Sequence, residues 1–226
     1  MKVVVPRLHR TAYLRARLGS AGAKGDNEMF AIGLDLGQKR DHTAIVVVER
    51  QRRHRYLVGP DKELLVRAAE RLPLGMAYGE IVDVVRHVVR ILSVQLGPQE
   101  VCKLAVDATG VGKPVVDALR AAQLGCSMTA VTITRGDKQH YRSGEGSAMN
   151  VPKQNLIAGL QLALDQGELR IAGKMAGAGT LRRELLDVQM QRREGGGVRI
   201  GAVEGGGRHD DLVIALALAV WRAKMF

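Results

Sequence analysis

Aspartates stand at two predicted strand ends and at one predicted helix start. Asp35 and Asp107 each end a short apolar run before a glycine-containing turn, while Asp210 and Asp211 open a long apolar helix. A carboxylate at the end of a buried strand needs an ion pair, a hydrogen bond or a bound cation, because burying it bare is costly. A strand-end aspartate also commonly caps a turn, so no single one of them identifies a site. The recurring pattern predicts that these acids meet at one edge if the two strands are neighbours in a sheet.

The chemistry that such acids share is that of a metal site. Clustered carboxylates repel one another, and an oxygen-rich, sulfur-free set of ligands suits Mg²⁺ or Mn²⁺ better than zinc. Two such ions close together activate a water and stabilise the leaving oxygen of a phosphodiester. The helix that begins near Asp211 also favours ionised Asp210 and Asp211 through its dipole. Asp41, across the turn from Asp35, is a supporting ligand or a plain turn residue, and His209 orients a water or phosphate or serves as a cap.

The elements that must position these acids begin with a predicted hairpin. Apolar and branched aliphatic runs predict strands over 30–36 and 42–50, and 54–58 is a candidate third, edge strand. A short helix is predicted near 61–71, and residues at helical spacing predict a longer helix near 79–96. The acid of the first strand therefore sits at the end of a central, buried element.

The second half of the sheet follows from a strand–helix–strand order. We predict a strand over 101–106, a helix near 113–123 and a strand near 128–133. This order implies a parallel crossover beside an antiparallel hairpin, which is a mixed α/β sheet flanked by helices. The remaining predictions are a polar loop over 135–150 that is either a substrate loop or plain surface, a helix over 152–166, a short strand over 168–171, a helix near 178–190, a hairpin over 189–203 and a final helix over 211–224.

The charge of the chain points to a polyanionic partner. There are 34 Lys and Arg against 23 Asp and Glu, giving a net charge of +11 and a pI near 10.1. Nucleic acid is the first candidate, although a basic protein can be basic without such a partner. Aromatic residues make up only 3% of the chain, so we expect salt-sensitive phosphate contacts rather than base stacking. The candidate DNA contacts are Lys113, Lys138, Arg142, Arg192, Arg193 and His209.

Several other classes of protein are disfavoured. Cys102 and Cys126 lack metal-binding spacing and are predicted to be buried thiols in a reducing compartment. No apolar run is long enough to cross a membrane. Residues 1–28 are basic and end in a Gly- and Ala-rich stretch, which predicts a flexible arm or linker, and residues 29–226 are assigned to one domain.

The segment from Asp107 to Pro114 superficially resembles a phosphate-binding P-loop. It lacks the first glycine of that motif, and Pro114 replaces the hydroxyl residue that should follow Lys113. We therefore predict no ATP binding there. Lys113, near a helix start, remains a candidate phosphate contact.

Taken together, five motifs resemble the C-terminal nuclease domain of the large terminase subunit of tailed bacteriophages. In order they are Gly-Leu-Asp-Leu-Gly, Asp-His-Thr-Ala-Ile-Val-Val, Val-Asp-Ala-Thr-Gly-Val-Gly, Val-Pro-Lys-Gln-Asn-Leu-Ile and Arg-His-Asp-Asp-Leu-Val-Ile-Ala-Leu-Ala, and the resemblance spans residues 30–224. It implies a ribonuclease H-like fold and an endonuclease that cuts concatemeric double-stranded viral DNA with two Mg²⁺ or Mn²⁺ ions.

The resemblance also implies roles for individual residues. Asp35 and Asp107 match the metal ligands of two strands, Asp210 and Asp211 match the C-terminal acidic pair, and Asp41 matches an accessory acid of some relatives. Asp35, Asp107 and Asp211 are accordingly expected to be catalytic. The hairpin predicted near 189–203 resembles one that the family places beside its DNA channel.

The chain differs from full-length terminases in one respect, and three alternative functions are open. Full-length terminases carry a packaging ATPase with a true P-loop, so we expect an isolated domain, a split gene product or a prophage remnant. The implied partners are double-stranded DNA, a packaging ATPase domain, the terminase small subunit and the portal, in the cytoplasm of a bacterial host and without a membrane. The alternatives are a junction-resolving or RNA–DNA-hybrid nuclease of the same fold, a non-catalytic DNA-binding remnant, and a sugar-kinase or chaperone ATPase fold, for which the chain is too short.

Overall fold

A computed structural model describes residues 29–37, 41–52, 62–95, 101–110, 112–135, 138–141, 147–192, 198–202 and 210–225. Ten strands and five helices occupy these ranges. In chain order they are β1 Met29–Asp35, β2 Ala44–Arg52, β3 Lys62–Arg71, α1 Tyr78–Gln95, β4 Val101–Asp107, α2 Gly112–Ala121, β5 Ser127–Thr134, β6 His140–Tyr141, β7 Ala148–Pro152, α3 Lys153–Asp165, β8 Leu169–Ile171, α4 Ala178–Asp187, β9 Val188–Arg192, β10 Val198–Ala202 and α5 Asp211–Lys224.

Eight of the strands form one mixed sheet in the order β6-β7-β5-β4-β1-β2-β3-β8. Strands β1, β2 and β3 pair antiparallel, while β4, β5 and β7 continue the sheet on the other side of β1 in parallel pairs. The predicted combination of an antiparallel hairpin with parallel crossovers is thus confirmed. Strand β1 lies between β4 and β2, so its terminal aspartate stands near the middle of the sheet edge.

Two hydrophobic layers cover the two faces of the sheet. Helices α1 and α2 pack on one face, and α5 packs on the other beneath α3 and α4. All residues of α5 from Leu212 to Val220 are buried, because the helix is enclosed by the sheet and the outer helices. A helix that is apolar on every side is suited to such a central position.

Gly33 allows α5 to lie directly against β1. A Cβ atom at Gly33 would stand 1.8 Å from the carbonyl oxygen of Ala215 and 2.8 Å from the backbone nitrogen of Ala219, so no larger residue fits. At the other end of the helix, Arg50 donates to the Ala223 carbonyl at 2.8 Å. Arg50 pairs with Met29 at the beginning of β1. Helix α5 therefore runs antiparallel to β1 and begins at the edge where β1 ends.

One predicted element is wrong. A short helix was predicted over residues 61–71, but residues 62–71 form β3, which pairs along its length with β2. The segment is rich in Glu, Leu, Ala and Arg, which favour helices, but pairing with a neighbouring strand overrides that local preference. Leu64 and Val66 point into the core, and Ala68 and Ala69 are both buried because they face opposite sides of a sheet that is covered on both faces. The edge strand predicted over 54–58 lies outside the described residues.

Other boundaries differ from the predictions in smaller ways. The polar loop predicted over 135–150 contains β6 and the beginning of β7, which pairs with β5. The hairpin predicted over 189–203 is confirmed by the antiparallel pairing of β9 and β10, and α4 accordingly ends at Asp187. Residues 1–28 lie outside the described ranges. Among the described helices, none is long and apolar enough to cross a membrane.

Candidate metal centre

Asp35 and Asp107 end two neighbouring parallel strands. Leu34 of β1 is in register with Val106 of β4, so the aspartates that follow them stand at the same edge of the sheet. Helix α5 begins at this edge with Asp211, preceded by Asp210. The parallel pairing of β1 and β4 and the close packing of α5 on β1 therefore bring four predicted site residues to one place.

The clustered acids affect the ionisation of Asp35. Burial raises the pKa of Asp35 well above its ordinary value, and the carboxylates of Asp107, Asp211 and Asp210 raise it further. Lys153 acts in the opposite direction and lowers the pKa of Asp35. Neighbouring carboxylates disfavour the ionised form of one another, in agreement with the common place of these acids at the sheet edge. The acids thus form the cluster that the sequence pattern predicted.

The turn after β4 fixes Asp107. The backbone N–H of Thr109 donates to Asp107 Oδ1 at 2.8 Å, and the Thr109 hydroxyl oxygen accepts the backbone N–H of Ile133 at 2.8 Å. Burial raises the pKa of Asp107, while the hydrogen bonds from Thr109 lower it. Thr109 therefore holds the carboxylate in place and favours its ionised form, which is the form that binds cations.

Lys153 is a functional candidate to which the sequence analysis gave no role. It is the first residue of α3, and its ammonium nitrogen lies 2.8 Å from Asp210 Oδ2. The same charge lowers the pKa values of both Asp35 and Asp107. A single lysine thus acts on three of the four clustered acids. Its position directly after the strand residue Pro152, at a helix start, was the available signal in the sequence.

Arg71 and Glu184 form a second unpredicted group beside Asp211. Arg71, at the end of β3, lies 2.7 Å from Glu184 Oε1 and 3.5 Å from Asp211 Oδ2. Glu184 Oε2 accepts the backbone N–H of Leu212 at 2.9 Å. Asp210 makes no side-chain capping bond at the start of α5, so Glu184 of α4 serves as the cap from outside the helix.

Glu184 also has an unusual ionisation. Burial raises the pKa of Glu184 to about 7, even though Arg71 and the backbone N–H of Leu212 favour its charged form. Its side chain is only 6% exposed, which accounts for the dominance of desolvation. No local pattern in the sequence distinguishes Glu184 from the acids on exposed helix surfaces.

The other predicted residues lie further out or outside the described ranges. Asp41 is exposed and lines a depression of about 130 Å³ beside the site, together with Thr43 and Tyr78. Lys113 and Lys138 are exposed. Arg192 ends β9, and its side chain is not described; Arg142, Arg193 and His209 lie outside the described residues.

The donor chemistry fits a hard divalent cation. Among the described residues, no group of three or more His, Cys, Asp or Glu side chains is arranged to hold a metal ion. The acid Asp210 faces Lys153, and Asp211 faces Arg71. All four clustered ligand candidates are nevertheless carboxylates, and their mutual repulsion is the kind that Mg²⁺ or Mn²⁺ relieves. In this structure the Lys153 ammonium and the Arg71 guanidinium offset part of the negative charge of the carboxylates.

Viral terminase nucleases are among the solved structures with the same fold. The large terminase nuclease of thermophilic phage G20c, with bound cobalt, is 22% identical, with a TM-score of 0.59 over 88% of this chain and 83% of that chain. The human cytomegalovirus terminase nuclease domain, soaked with manganese, is 11% identical, with a TM-score of 0.58 over 92% of each chain. A mutant nuclease domain of the large terminase subunit gp2 of bacterial virus Sf6, with manganese and β-thujaplicinol, is 16% identical, with a TM-score of 0.53 over 93% of this chain and 96% of that chain.

At these identities the likeness establishes the fold. The predicted α/β ribonuclease H-like architecture, with helices on both faces of a mixed sheet and an added β-hairpin, is confirmed. No protein-family model matches the sequence, and no curated protein matches it.

Proposed function

We propose that this chain is a divalent-metal-dependent endonuclease that cleaves double-stranded DNA as the nuclease part of a viral DNA-packaging terminase. The observation that carries the proposal is the convergence of Asp35, Asp107, Asp210 and Asp211 at one edge of a ribonuclease H-like sheet. The similar terminase nucleases include structures with bound cobalt, bound magnesium and soaked manganese, which supports a metal-dependent nuclease of this kind.

In this proposal the clustered aspartates hold two Mg²⁺ or Mn²⁺ ions. Asp35, Asp107 and Asp211 are the catalytic residues, with Asp210 as a further ligand and Asp41 as a supporting one. When bound, the ions supply Lewis-acid activation of a water and neutralise charge on the phosphodiester that is cut. The contribution of the chain is geometric, because hydrogen-bonded strand ends hold the acids in place before the substrate arrives.

The basic residues around the site offset the charge of the carboxylates and are proposed to bind the phosphates of DNA. Lys153 and Arg71 balance part of the carboxylate charge, which lowers the repulsion that a phosphate would otherwise meet. The net charge of +11 supports binding to the DNA backbone without regard to sequence. Lys113 and Lys138 are exposed and are proposed phosphate contacts, and the same role is proposed for Arg142, Arg192, Arg193 and His209.

The packaging role adds partners to the proposal. A terminase nuclease works on concatemeric DNA that an ATPase motor moves, so the proposed partners are a packaging ATPase domain, the terminase small subunit and the portal. The proposed location is the cytoplasm of a bacterial host. These assignments rest on the resemblance in motifs and fold, and they are tested separately from the chemistry.

The first test is cleavage of supercoiled plasmid by the purified chain. Mn²⁺, Mg²⁺ and EDTA are compared for the wild type, Asp35→Asn and Asp107→Asn. We expect metal-dependent nicking and linearisation, which each substitution reduces by at least roughly 100-fold because it removes a proposed ligand. Asp165→Asn is the matched control, since Asp165 is exposed at the far end of α3, and it should retain full activity.

The substrate is tested in the same assay. Linear duplex, a four-way junction and an RNA–DNA hybrid compete for the enzyme, and the proposal expects duplex DNA to be cut. Preferential cutting of the junction or hybrid would move the assignment to the related nucleases of this fold. Folded wild type that binds DNA but does not cut it in Mn²⁺, even with ATPase and small-subunit partners added, would instead identify a non-catalytic DNA-binding protein.

A further inference from the structure

Cys102 and Cys126 lie side by side at the sheet edge opposite the aspartates. Lys103 of β4 is in register with Ser127 of the parallel strand β5, and each cysteine comes one residue before this pair. Both cysteines belong to the hydrophobic layer formed with α1 and α2, so they stand on the same face of the sheet. Asp107 is five residues further along β4, roughly 17 Å away.

The two thiols are close enough to affect each other's ionisation. The neighbouring Cys126 side chain and burial raise the pKa of Cys102, and the Cys102 side chain lowers the pKa of Cys126. Neighbouring strands lie about 4.8 Å apart, within the Cα separation of about 4.4–6.8 Å that a disulfide bridges. No large backbone movement is therefore needed to join them.

The two thiols differ in solvent exposure and in their distance from a cation. Cys102 is only 6% exposed, whereas Cys126 is half-buried next to the exposed residue Ser127. The guanidinium of Arg222 donates to the Ser127 hydroxyl at 2.9 Å and stabilises negative charge on the neighbouring Cys126 sulfur. Partial exposure beside a cation is the environment of a reactive thiol, and a buried partner in contact with it is placed to react second.

We propose that Cys102 and Cys126 form a reversible thiol–disulfide site whose oxidant is a peroxide or a small-molecule disulfide. With hydrogen peroxide, the Cys126 thiolate attacks one peroxide oxygen, the O–O bond breaks, and Cys126 becomes a sulfenic acid as hydroxide leaves and takes up a proton to form water. The Cys102 sulfur then attacks the Cys126 sulfur, the S–O bond breaks, and a second water leaves with the Cys102 proton. Two thiols have lost two electrons and two protons in total, and one peroxide has become two waters.

The disulfide would close a loop that contains α2. This loop runs from the beginning of β4 to the beginning of β5, while the aspartate cluster lies at the opposite edge of the sheet, where β4 ends with Asp107. Oxidation should therefore stabilise this side of the sheet without altering the acids. The inference does not depend on the nuclease assignment, and its failure would leave that assignment untouched.

The test uses the wild-type chain, which contains only these two cysteines. The reduced protein is exposed to low-concentration hydrogen peroxide or to oxidised glutathione, quenched, and then denatured for thiol counting and intact mass measurement. We expect both thiols to disappear, the mass to fall by two hydrogen atoms, and a peptide map to contain the Cys102–Cys126 link in a monomer. Dithiothreitol should restore both thiols.

Single substitutions separate this route from nonspecific oxidation. Cys102→Ala should trap Cys126 as a sulfenic acid or a glutathione adduct, whereas in Cys126→Ala the buried Cys102 should stay reduced far longer. A thermal melt of the oxidised wild type should lie several degrees above that of the reduced form. Two free thiols persisting after treatment, disulfides only between chains, or further oxidised sulfur without the mass loss would each overturn the inference.

Discussion

Glu184 accepts the backbone N–H of Leu212 at 2.9 Å and so joins the beginning of α5 to α4. Arg71 contacts both Glu184 and Asp211, which makes a bridge between this cap and one of the clustered acids. The position of Asp211 therefore depends on two residues from elements that are distant in the sequence.

Removing the Glu184 carboxylate, which caps α5, should destabilise the protein and make the position of Asp211 less fixed. Glu184→Ala removes the acceptor for the Leu212 N–H and the partner of Arg71, so we expect a loss of about 2–3 kcal/mol in the free energy of unfolding. Glu184→Gln keeps an acceptor and should lose less. Urea denaturation measures both variants, with Asp165→Ala as an exposed control. Equal stability of Glu184→Ala and the control would contradict the capping role.

The stability of the metal-free protein should depend on pH through Glu184. Its pKa is raised from the ordinary 4.5 to about 7, so between these values the folded state binds more protons than the unfolded state. The free energy of unfolding contributed by Glu184 therefore falls as the pH rises through this window. Asp35 and Asp107, whose pKa values are also raised, act with the same sign.

A comparison with Glu184→Gln isolates this contribution. Urea denaturation in EDTA at about pH 5 and about pH 7.5 should show that the wild type loses stability relative to the variant as the pH rises. A difference between the two proteins that stays constant, or that grows in favour of the wild type, would show that Glu184 is ionised at the lower pH.

Gly33→Ala should displace α5 from the sheet. The added methyl would meet the Ala215 carbonyl oxygen and the Ala219 nitrogen, both of which are backbone atoms that cannot rotate away. Overpacking of this kind costs about 1–3 kcal/mol or more, and the displacement should also weaken Mn²⁺ binding because it moves Asp211. Thermal melts and isothermal titration with Mn²⁺ measure the two effects.

Gly159→Ala is the matched control for that substitution. Gly159 lies inside α3, and a Cβ atom there would meet nothing within 4 Å. The same chemical change should therefore stabilise the protein by about 0.5–1 kcal/mol through helix propensity. If Gly33→Ala and Gly159→Ala have similar stabilities, the close approach of α5 to β1 does not restrict the residue at position 33.

Removal of the lysine charge should make the fold more dependent on divalent cations. Lys153→Met keeps most of the apolar stem but leaves Asp210, Asp35 and Asp107 without the ammonium group that now offsets their charge. We expect a lower melting temperature in EDTA and a larger upward shift on addition of Mn²⁺ than in the wild type. Lys174→Met, at an exposed position, should leave both values unchanged. A variant that gains nothing extra from Mn²⁺ would place Lys153 outside the ion-binding cluster.

The acids were predictable because each lies at the end of a strand or the beginning of a helix that can be recognised from its local apolar pattern. Apolar runs identify β1 and β4, and the strand–helix–strand order between β4 and β5 implies a parallel crossover. The parallel pairing of β1 with β4 then brings Asp35 and Asp107 to one edge. The start of α5 is equally visible as a polar pair before an unbroken apolar run. The resemblance in motifs then supplied the ribonuclease H-like architecture.

The residues around those acids were not predictable for a physical reason. Arg71 lies in a segment whose composition favours a helix, and its strand conformation comes from pairing with β2. Glu184 is one of several acids in polar helices, and only packing against α5 sets it apart. Lys153 was visible at a helix start, but its approach to Asp210 depends on how α3 and α5 pack together. Such long-range contacts leave no periodic trace in one sequence.

We propose that Asp35, Asp107 and the Asp210–Asp211 pair together bind divalent cations. The most direct measurement is anomalous X-ray diffraction from crystals soaked with Mn²⁺, for the wild type and for Asp35→Asn. We expect manganese at the sheet edge in contact with carboxylate oxygens from β1, β4 and α5, and a weaker or absent signal in the variant. Manganese bound only elsewhere, or an undiminished signal at this edge in Asp35→Asn, would contradict it.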